Sequence, residues 1–463
     1  MRIAVVGTGF VGLTHAAVCS EYGHEVVAYD TDAAKIEDFK SGIAENIEKH
    51  VNEPGLWQII KKTIGKYLFF TTNIRKALDD VDAVFFCLPT PPNLDGSTDL
   101  SIYRSAVDDV CEALKTIERK RRILLINKST VPIGTARALQ RQVKEHGIEN
   151  FGVASNPEFL PEGEAVEASR KPNRVVVGCD EEQDFRIMRR IYSQFVSHVR
   201  TAYIETTPET AEAIKYVANT LLMTYISFWN GVGARLAETF PNIIMEHLRK
   251  GVTSDARIST WGSYVSNGAG GSCFGKDIRS LIYQLKMKAA NTDLLEAAHE
   301  INEYQKVYLV ERAVTEAKFH FNNKKVALLG LAFKRRTNDM RESSALKVVD
   351  ALLGKGVSEI RAYDPLANEE AKKYFRVEKN YLYKNVTYWP SAKEAMQGTD
   401  ALFITTDWEE FRGISSTIER TVKPPYLIID GRRMIPDYRE LNEMGYTYLA
   451  VGSPVLPGKP FVD

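Results

Sequence analysis

A chain of 463 residues is too long for one ordinary core and implies two or three domains. Sixty basic residues offset sixty acidic ones, and apolar and charged residues make up 44% and 26%, so no global field draws the chain to nucleic acid or an anionic membrane. No apolar run approaches the ~20 residues that span a bilayer, and the opening residues read directly as a strand rather than a secretory signal. Cys19, Cys87, Cys111, Cys179 and Cys273 are scattered and contain no CxxC pair, which disfavours a disulfide framework or a zinc site and fits a reducing cytoplasm.

Residues 2–30 read as strand, Gly-rich turn, helix, strand and terminal acid. In that arrangement Gly7 makes the tight turn, Gly9 admits a pyrophosphate, Gly12 permits close helix–strand packing, and the helix N-terminus offers free N–H groups. Asp30, about 20 residues on, suits ribose hydroxyls and repels a 2′-phosphate, which favours NAD over NADP, with Lys35 close by. Strand patterns follow at 83–88 and Ile123–Asn127, each closed by a polar turn that places Thr90 and Thr130 where an open parallel sheet binds its ligand. The basic run 119–122 reads as a solvated helix end. A later turn, 155–163, carries Glu158 and Glu162 and reads equally as a solvated loop or a site.

From Pro208 a long helical pattern begins, broadly apolar, with Lys215 and Asn219 four residues apart on one face. An ammonium inside such a helix is costly unless it is paired or functional. The stretch 270–277, GGSCFGKD, then places a thiol on a flexible loop, where Lys276 or a helix N-terminus would favour the thiolate. After a second helical region the first-half pattern returns: RIAVVGTGF matches KVALLGLAF, VVAYD matches IRAYDP, and DAVFFCLPT matches DALFITTDW. Only Gly330 survives of the phosphate glycines. The fold expected is α/β, with two doubly wound Rossmann-like domains (1–205 and 319–463) joined by a long central helix and a helical middle domain (206–318) carrying Cys273.

In this order, GTGFVGL, KSTVPIGT, SNPEFLPEG, KYVANTLL, GGSCFGKD, GLAFKRRTNDMRES, YDP and DGRR resemble the nucleotide-sugar 6-dehydrogenases, the family of UDP-glucose and GDP-mannose dehydrogenases. The resemblance implies oxidation of a sugar CH2OH to a carboxylate with two NAD, through a cysteine-bound intermediate, in a cytoplasmic homodimer or larger homo-oligomer without nucleic-acid or membrane partners. It assigns Cys273 as nucleophile, Lys215 and Asn219 to the oxyanion, Asp277 to water or proton transfer, and Thr130 and Glu158 to the hydrolytic water. Cofactor contacts fall on Gly7, Gly9, Phe10, Val11, Gly12, Asp30, Lys35, Thr90, Thr130, Glu162 and Arg341. Substrate contacts fall on Glu158, Phe159, Leu160, Lys215, Asn219, Gly270, Phe274, Lys334 and Arg432, with Arg257 supplied by a partner subunit.

The residue types suit the chemistry. An alkoxide needs a nearby cation, and an aldehyde surrenders hydride only after a nucleophile has made it tetrahedral. The branch acting on UDP-glucose is favoured by GSCF followed by KD. The chain departs from the family pattern at Gly275, Gly231, Asn127, Gly262 and Ala269. The last two remove aromatic wall from the substrate loop and leave the sugar open, unless Trp261 or Tyr264 refills the space.

Overall fold

The strand Arg2–Val6 (β1) is buried from Ile3 to Val6 on both faces, the signature of a parallel strand covered by helices on each side. In the computed structural model, which describes residues 1–119, 121–197 and 201–461, β1 lies inside an eight-stranded sheet. Its other strands are β2 (Glu25–Tyr29), β3 (Leu68–Thr71), β4 (Ala83–Phe86), β5 (Ile123–Asn127), β6 (Phe151–Ser155), β7 (Arg174–Gly178) and β8 (Ala202–Thr206). The order is β3-β2-β1-β4-β5-β6-β7-β8, parallel except where Ser155 meets Gly178 between β6 and β7. Leu13, Val18, Ile36 and Phe39 cover one face, and Tyr103, Val107, Val110 and Leu139 cover the other. Each such side chain adds ~1.5–3 kcal/mol when fully buried. Chain order turns outward in both directions from β1 and β4, which makes the carboxyl ends of these two strands the switch point where ligands bind.

The second sheet contains β9 (Lys325–Leu329), β10 (Glu359–Tyr363), β11 (Val386–Tyr388), β12 (Ala401–Ile404), β13 (Leu427–Asp430) and β14 (Thr447–Ala450). Its order, β11-β10-β9-β12-β13-β14, repeats that of the first six strands, and all its pairs are parallel. The internal repeat extends to atomic detail. Gly7 has φ +93° and donates to Tyr29 O at 2.9 Å, while Gly330 has φ +94° and donates to Tyr363 O at 2.8 Å.

By compactness the chain divides into Met1–Ala218 with Arg279–Ala290, and Asn219–Ile278 with Asn291–Asp463. The long helix Pro208–Phe228 carries Lys215 and, one turn later, Asn219. It passes into a π-turn, Trp229–Gly233, whose Trp229 is buried with Leu309, Val310 and Met245 in the core of the second unit.

Two sequence expectations are corrected. The basic run does not end a helix, because the preceding helix stops at Lys115. Arg119 donates to Glu149 O, Arg121 binds Asp80 and Asp82, and Arg122 forms a pair with buried Asp184; residue 120 lies outside the described residues. The strand expected over 83–88 ends at Phe86.

Candidate active site

The glycine turn after β1 has the shape that a dinucleotide requires. A Cβ on Gly7 would lie 2.4 Å from Cys87 O and one on Gly12 1.9 Å from Gly7 O, whereas a Cβ on Gly9 would meet nothing within 4 Å. The turn is therefore closed on its protein side and open where a phosphate approaches. The helix Phe10–Glu21 starts at once, with Phe10 and Val11 as its first residues and no side chain capping its N-terminus, which leaves those N–H groups for an anion. At the end of β2, Asp30 accepts from Thr8 N at 2.9 Å, Thr8 Oγ1 at 2.7 Å and Lys35 Nζ at 2.8 Å. Burial alone would raise its carboxyl, but these donors outweigh burial and hold it down to about 2. The residues fit NAD: an ionised acid stands at the ribose end of an uncapped helix, and Lys35 is engaged with it.

Glu158 lies in the turn after β6, and Lys215 Nζ donates to its Oε1 at 3.0 Å, with both side chains under 10% exposed. The Glu158 Oε2 accepts Leu160 N at 2.6 Å. Burial pushes the Glu158 carboxyl up, but Lys215, the Leu160 amide and the more distant Lys128 together hold it below the usual range. The turn at 155–163 is thus a buried ionic site rather than a solvated loop. Two cations lie over the Phe159 ring, Arg174 at 3.8 Å and Lys215 at 5.3 Å from its centre. Thr130 and Lys215 line one small recess. Thr90 Oγ1 donates to Thr130 O at 2.9 Å, so these two expected residues meet. Glu162 is half-buried in the same turn.

In the second unit Cys273 is exposed, while the other four cysteines are buried, and none forms a disulfide. It immediately precedes the helix Phe274–Lys286, and its C=O accepts Asp277 N at 2.8 Å. Asp277 is fully buried between two donors, Asn219 Nδ2 at 2.6 Å and Lys276 Nζ at 2.6 Å. A cysteine, two cationic or amide donors and a carboxylate are thereby gathered on one helix end and the adjoining long helix. Trp261 lies edge-on to Phe274 with ring centres 6.5 Å apart, while Tyr264 lies under Arg249 at 4.4 Å. Trp261 therefore adjoins the cysteine helix.

The remaining expected residues are spread over the loops of the second unit. Gly270 packs against the backbone of Glu342, and Gly271 N donates to Arg341 O at 2.9 Å. The Arg341 side chain binds Asp339 at 2.7 Å, and that of Arg257 binds Asp255 at 2.6 Å. Arg432 donates to Thr405 O at 2.8 Å and Phe333 O at 3.1 Å, and Lys334 lies 5.6 Å from the Phe333 ring centre. The acid that echoes Asp30, Asp364, accepts Leu331 N, Ala332 N and Trp408 Nε1, so the second domain uses that position for structure.

Two buried groups escaped the sequence reading. Lys128 Nζ donates to Asn156 Oδ1 at 2.9 Å and Tyr192 OH at 3.2 Å. Burial lowers its ammonium to about 8 despite the favourable Cys87 and Glu158. Glu212 shares the recess with Thr130 and Lys215. Its only sequence signal is an acid one turn before Lys215 in an otherwise apolar helix.

A complete dinucleotide turn and a second nucleotide-type sheet are the frame of an NAD-dependent oxidoreductase, and an exposed cysteine precedes the helix that buries Asp277. Profiles of the UDP-glucose/GDP-mannose dehydrogenase family match along the chain: the NAD binding domain at residues 1–196, the central domain at 209–304 and the UDP binding domain at 327–437. A UDP-glucose 6-dehydrogenase of Pseudomonas aeruginosa is 34% identical over 461 residues, covering 98% of each chain. A solved UDP-glucose dehydrogenase of Pyrobaculum islandicum superposes with a TM-score of 0.86 at 30% identity, covering 98% of each chain. A solved UDP-D-ManNAc dehydrogenase of Pyrococcus horikoshii does so with a TM-score of 0.82 at 27% identity, covering 98% of this chain and 99% of that one. The protein belongs to the UDP-glucose/GDP-mannose dehydrogenase family, and its C-terminal domain is the family's UDP binding domain.

Proposed function

We propose that the protein oxidises the C6 hydroxymethyl of UDP-glucose to a carboxylate, consuming two NAD and one water. The reading is carried by Cys273, the exposed cysteine, which directly precedes a helix whose Asp277 is held by Asn219 and Lys276. Bound NAD supplies the hydride acceptor, one molecule for each oxidation. Lys215 and Asn219 stabilise the alkoxide as the O6 proton leaves. The Cys273 sulfur then adds to the aldehyde carbon, giving a thiohemiacetal whose oxidation yields a thioester. Water, ordered by Thr130 and Glu158 with Asp277 moving protons, hydrolyses the thioester and restores the thiol. Loss of one oxyanion donor costs ~3 kcal/mol in the barrier.

Glu162 and Arg341 are assigned to NAD, and Phe159, Leu160, Lys334 and Arg432 to the nucleotide sugar. The same reading keeps three domains, at 1–205, 206–318 and 319–463, and a cytoplasmic homodimer whose partner supplies Arg257. Exposed Leu221, Phe228, Val232 and Leu236, at helical spacing, support an apolar interface. Among the described residues no helix is long and apolar enough to cross a membrane.

A second reading, another UDP-hexose or GDP-mannose, is favoured by Gly262 and Ala269, where aromatic wall is missing. Purified protein with NAD and a panel of nucleotide sugars tests both. Two NADH per UDP-glucose support the proposal; one NADH with free aldehyde sinks the four-electron scheme, and preference for another sugar selects the second reading. Full turnover in Cys273→Ser would remove the nucleophile assignment.

A further inference from the structure

The turn after β5 leads into a helix whose first N–H groups are held by a side chain from another element. Glu212 lies on the long helix one turn before Lys215 and is 3% exposed. Its Oε2 accepts Gly134 N at 2.6 Å, and its Oε1 accepts Ala136 N at 2.8 Å and Ser155 Oγ at 3.1 Å. Gly134 is the N-cap of the helix Thr135–Glu145, has φ +95° and brings no capping side chain of its own. The cap that serine or aspartate would ordinarily supply locally therefore arrives from another element. One carboxylate thus joins three pieces: the turn bearing Thr130, the end of β6 that leads to Glu158, and the helix bearing Lys215. Glu212, Thr130 and Lys215 also line the same recess.

We propose that Glu212 is a positioning residue for the reaction, its ionised carboxylate fixing Thr130 against Lys215 and Glu158 so that the hydrolytic water is correctly placed. This rests on the roles given above to Thr130 and Glu158. The charge state matters because N–H and O–H donors need an acceptor, and a protonated carboxyl turns one of its oxygens into a donor. Burial raises the Glu212 carboxyl to about 7, against the pull of Gly134, Ala136 and Ser155 and with a small push from Glu209. The other groups around it are Lys215 on its own helix, engaged with Glu158, and Tyr103 from the helix Ser101–Lys115, which feels its charge. Arg137, on the helix it caps, is engaged with Asp180 and Glu209. As pH falls through about 7 the carboxylate gains a proton, the cap loosens and hydrolysis slows.

The test compares the full-length wild type with Glu212→Gln and Glu212→Asp, using UDP-glucose and NAD between roughly pH 5.5 and 9. In the wild type kcat should fall on the acid side through an ionisation near 7. In Glu212→Gln that limb should vanish and kcat should drop about tenfold, with both KM values within about threefold. The Cys273 thioester should accumulate in Glu212→Gln, read by intact mass, and Glu212→Asp should recover part of the rate. Superimposable kcat profiles, or a loss confined to KM, would overturn the proposal. Amide exchange at residues 134–136 provides a readout without turnover: protection should weaken below about 7 in the wild type and be insensitive to pH in Glu212→Gln. Protection that is pH-insensitive in the wild type overturns the role of Glu212, whereas normal exchange behaviour without oxidation of any nucleotide sugar overturns the function reading instead.

Discussion

Replacing Lys215 by methionine keeps the length and apolar stem of the side chain and removes its charge, leaving Glu158 buried and ionised without its partner. At the observed 3.0 Å, an effective dielectric of about 20 gives an attraction of ~5–6 kcal/mol. Desolvation of the two ions offsets most of this, so the intact pair adds little over an apolar one, but removing one member costs ~3–5 kcal/mol. For a unit of this size that lowers Tm by roughly 6–20 °C. The assay is calorimetric melting of Lys215→Met, Glu158→Gln and the double variant. The double variant should recover ~2–3 kcal/mol relative to the sum of the single changes. The pH dependence carries the opposite sign in wild type and variant. In the wild type the Glu158 carboxyl lies below its ordinary value, so its contribution is complete above the unfolded value of about 4.3 and is lost as pH falls through the folded value. In Lys215→Met burial dominates, the carboxyl rises, and acidification stabilises. Additivity of the two substitutions to within ~0.5 kcal/mol, or identical pH dependence, would refute the buried pair as the organising interaction of this site.

The other expectations concern the ligands. Asp30→Asn weakens the anchor made by Thr8 and Lys35 and should lower NAD affinity by about tenfold or more, measured by titration calorimetry; unchanged affinity would contradict the assignment. Gly12→Ala places a methyl 1.9 Å from Gly7 O, so the turn must move; stability should fall by on the order of 3 kcal/mol and NAD binding should be lost. Trp261→Ala removes the edge contact with Phe274 and should raise KM for the nucleotide sugar severalfold without altering KM for NAD, which steady-state kinetics would separate.

The sequence made the architecture legible because its signals are local. Val5, Ala28 and Phe85 lie in short apolar runs bounded by glycine or polar turns, and such runs become strands buried on both faces. The glycine spacing specified the NAD turn, and the second occurrence of the pattern specified the second sheet. Lys215 was visible as an improbable charge in an apolar helix, and Cys273 as a thiol on a glycine-rich loop. Three things were not visible. The turn bearing Glu158 read equally as solvent, because its partner lies 57 residues away. Lys276 was read only as a cation near Cys273, and its contact with Asp277 at 2.6 Å was not foreseen. Asp364 looked like a copy of Asp30, but caps the backbone and Trp408.

What the sequence by itself determined is therefore the set of elements, their repeat and the family, since periodicity and glycine turns are encoded within a few residues. What only the tertiary structure decided is the state of the charges. Glu158, Asp30 and Glu212 are three carboxylates in helical or turn settings, yet Glu158 is held below its usual range and Glu212 is pushed to about 7. The difference lies in which donors the fold carries to each of them: an ammonium for one, backbone amides and a hydroxyl for the other. Such donors come from elements remote in sequence, and burial strengthens their effect while raising the cost of their absence.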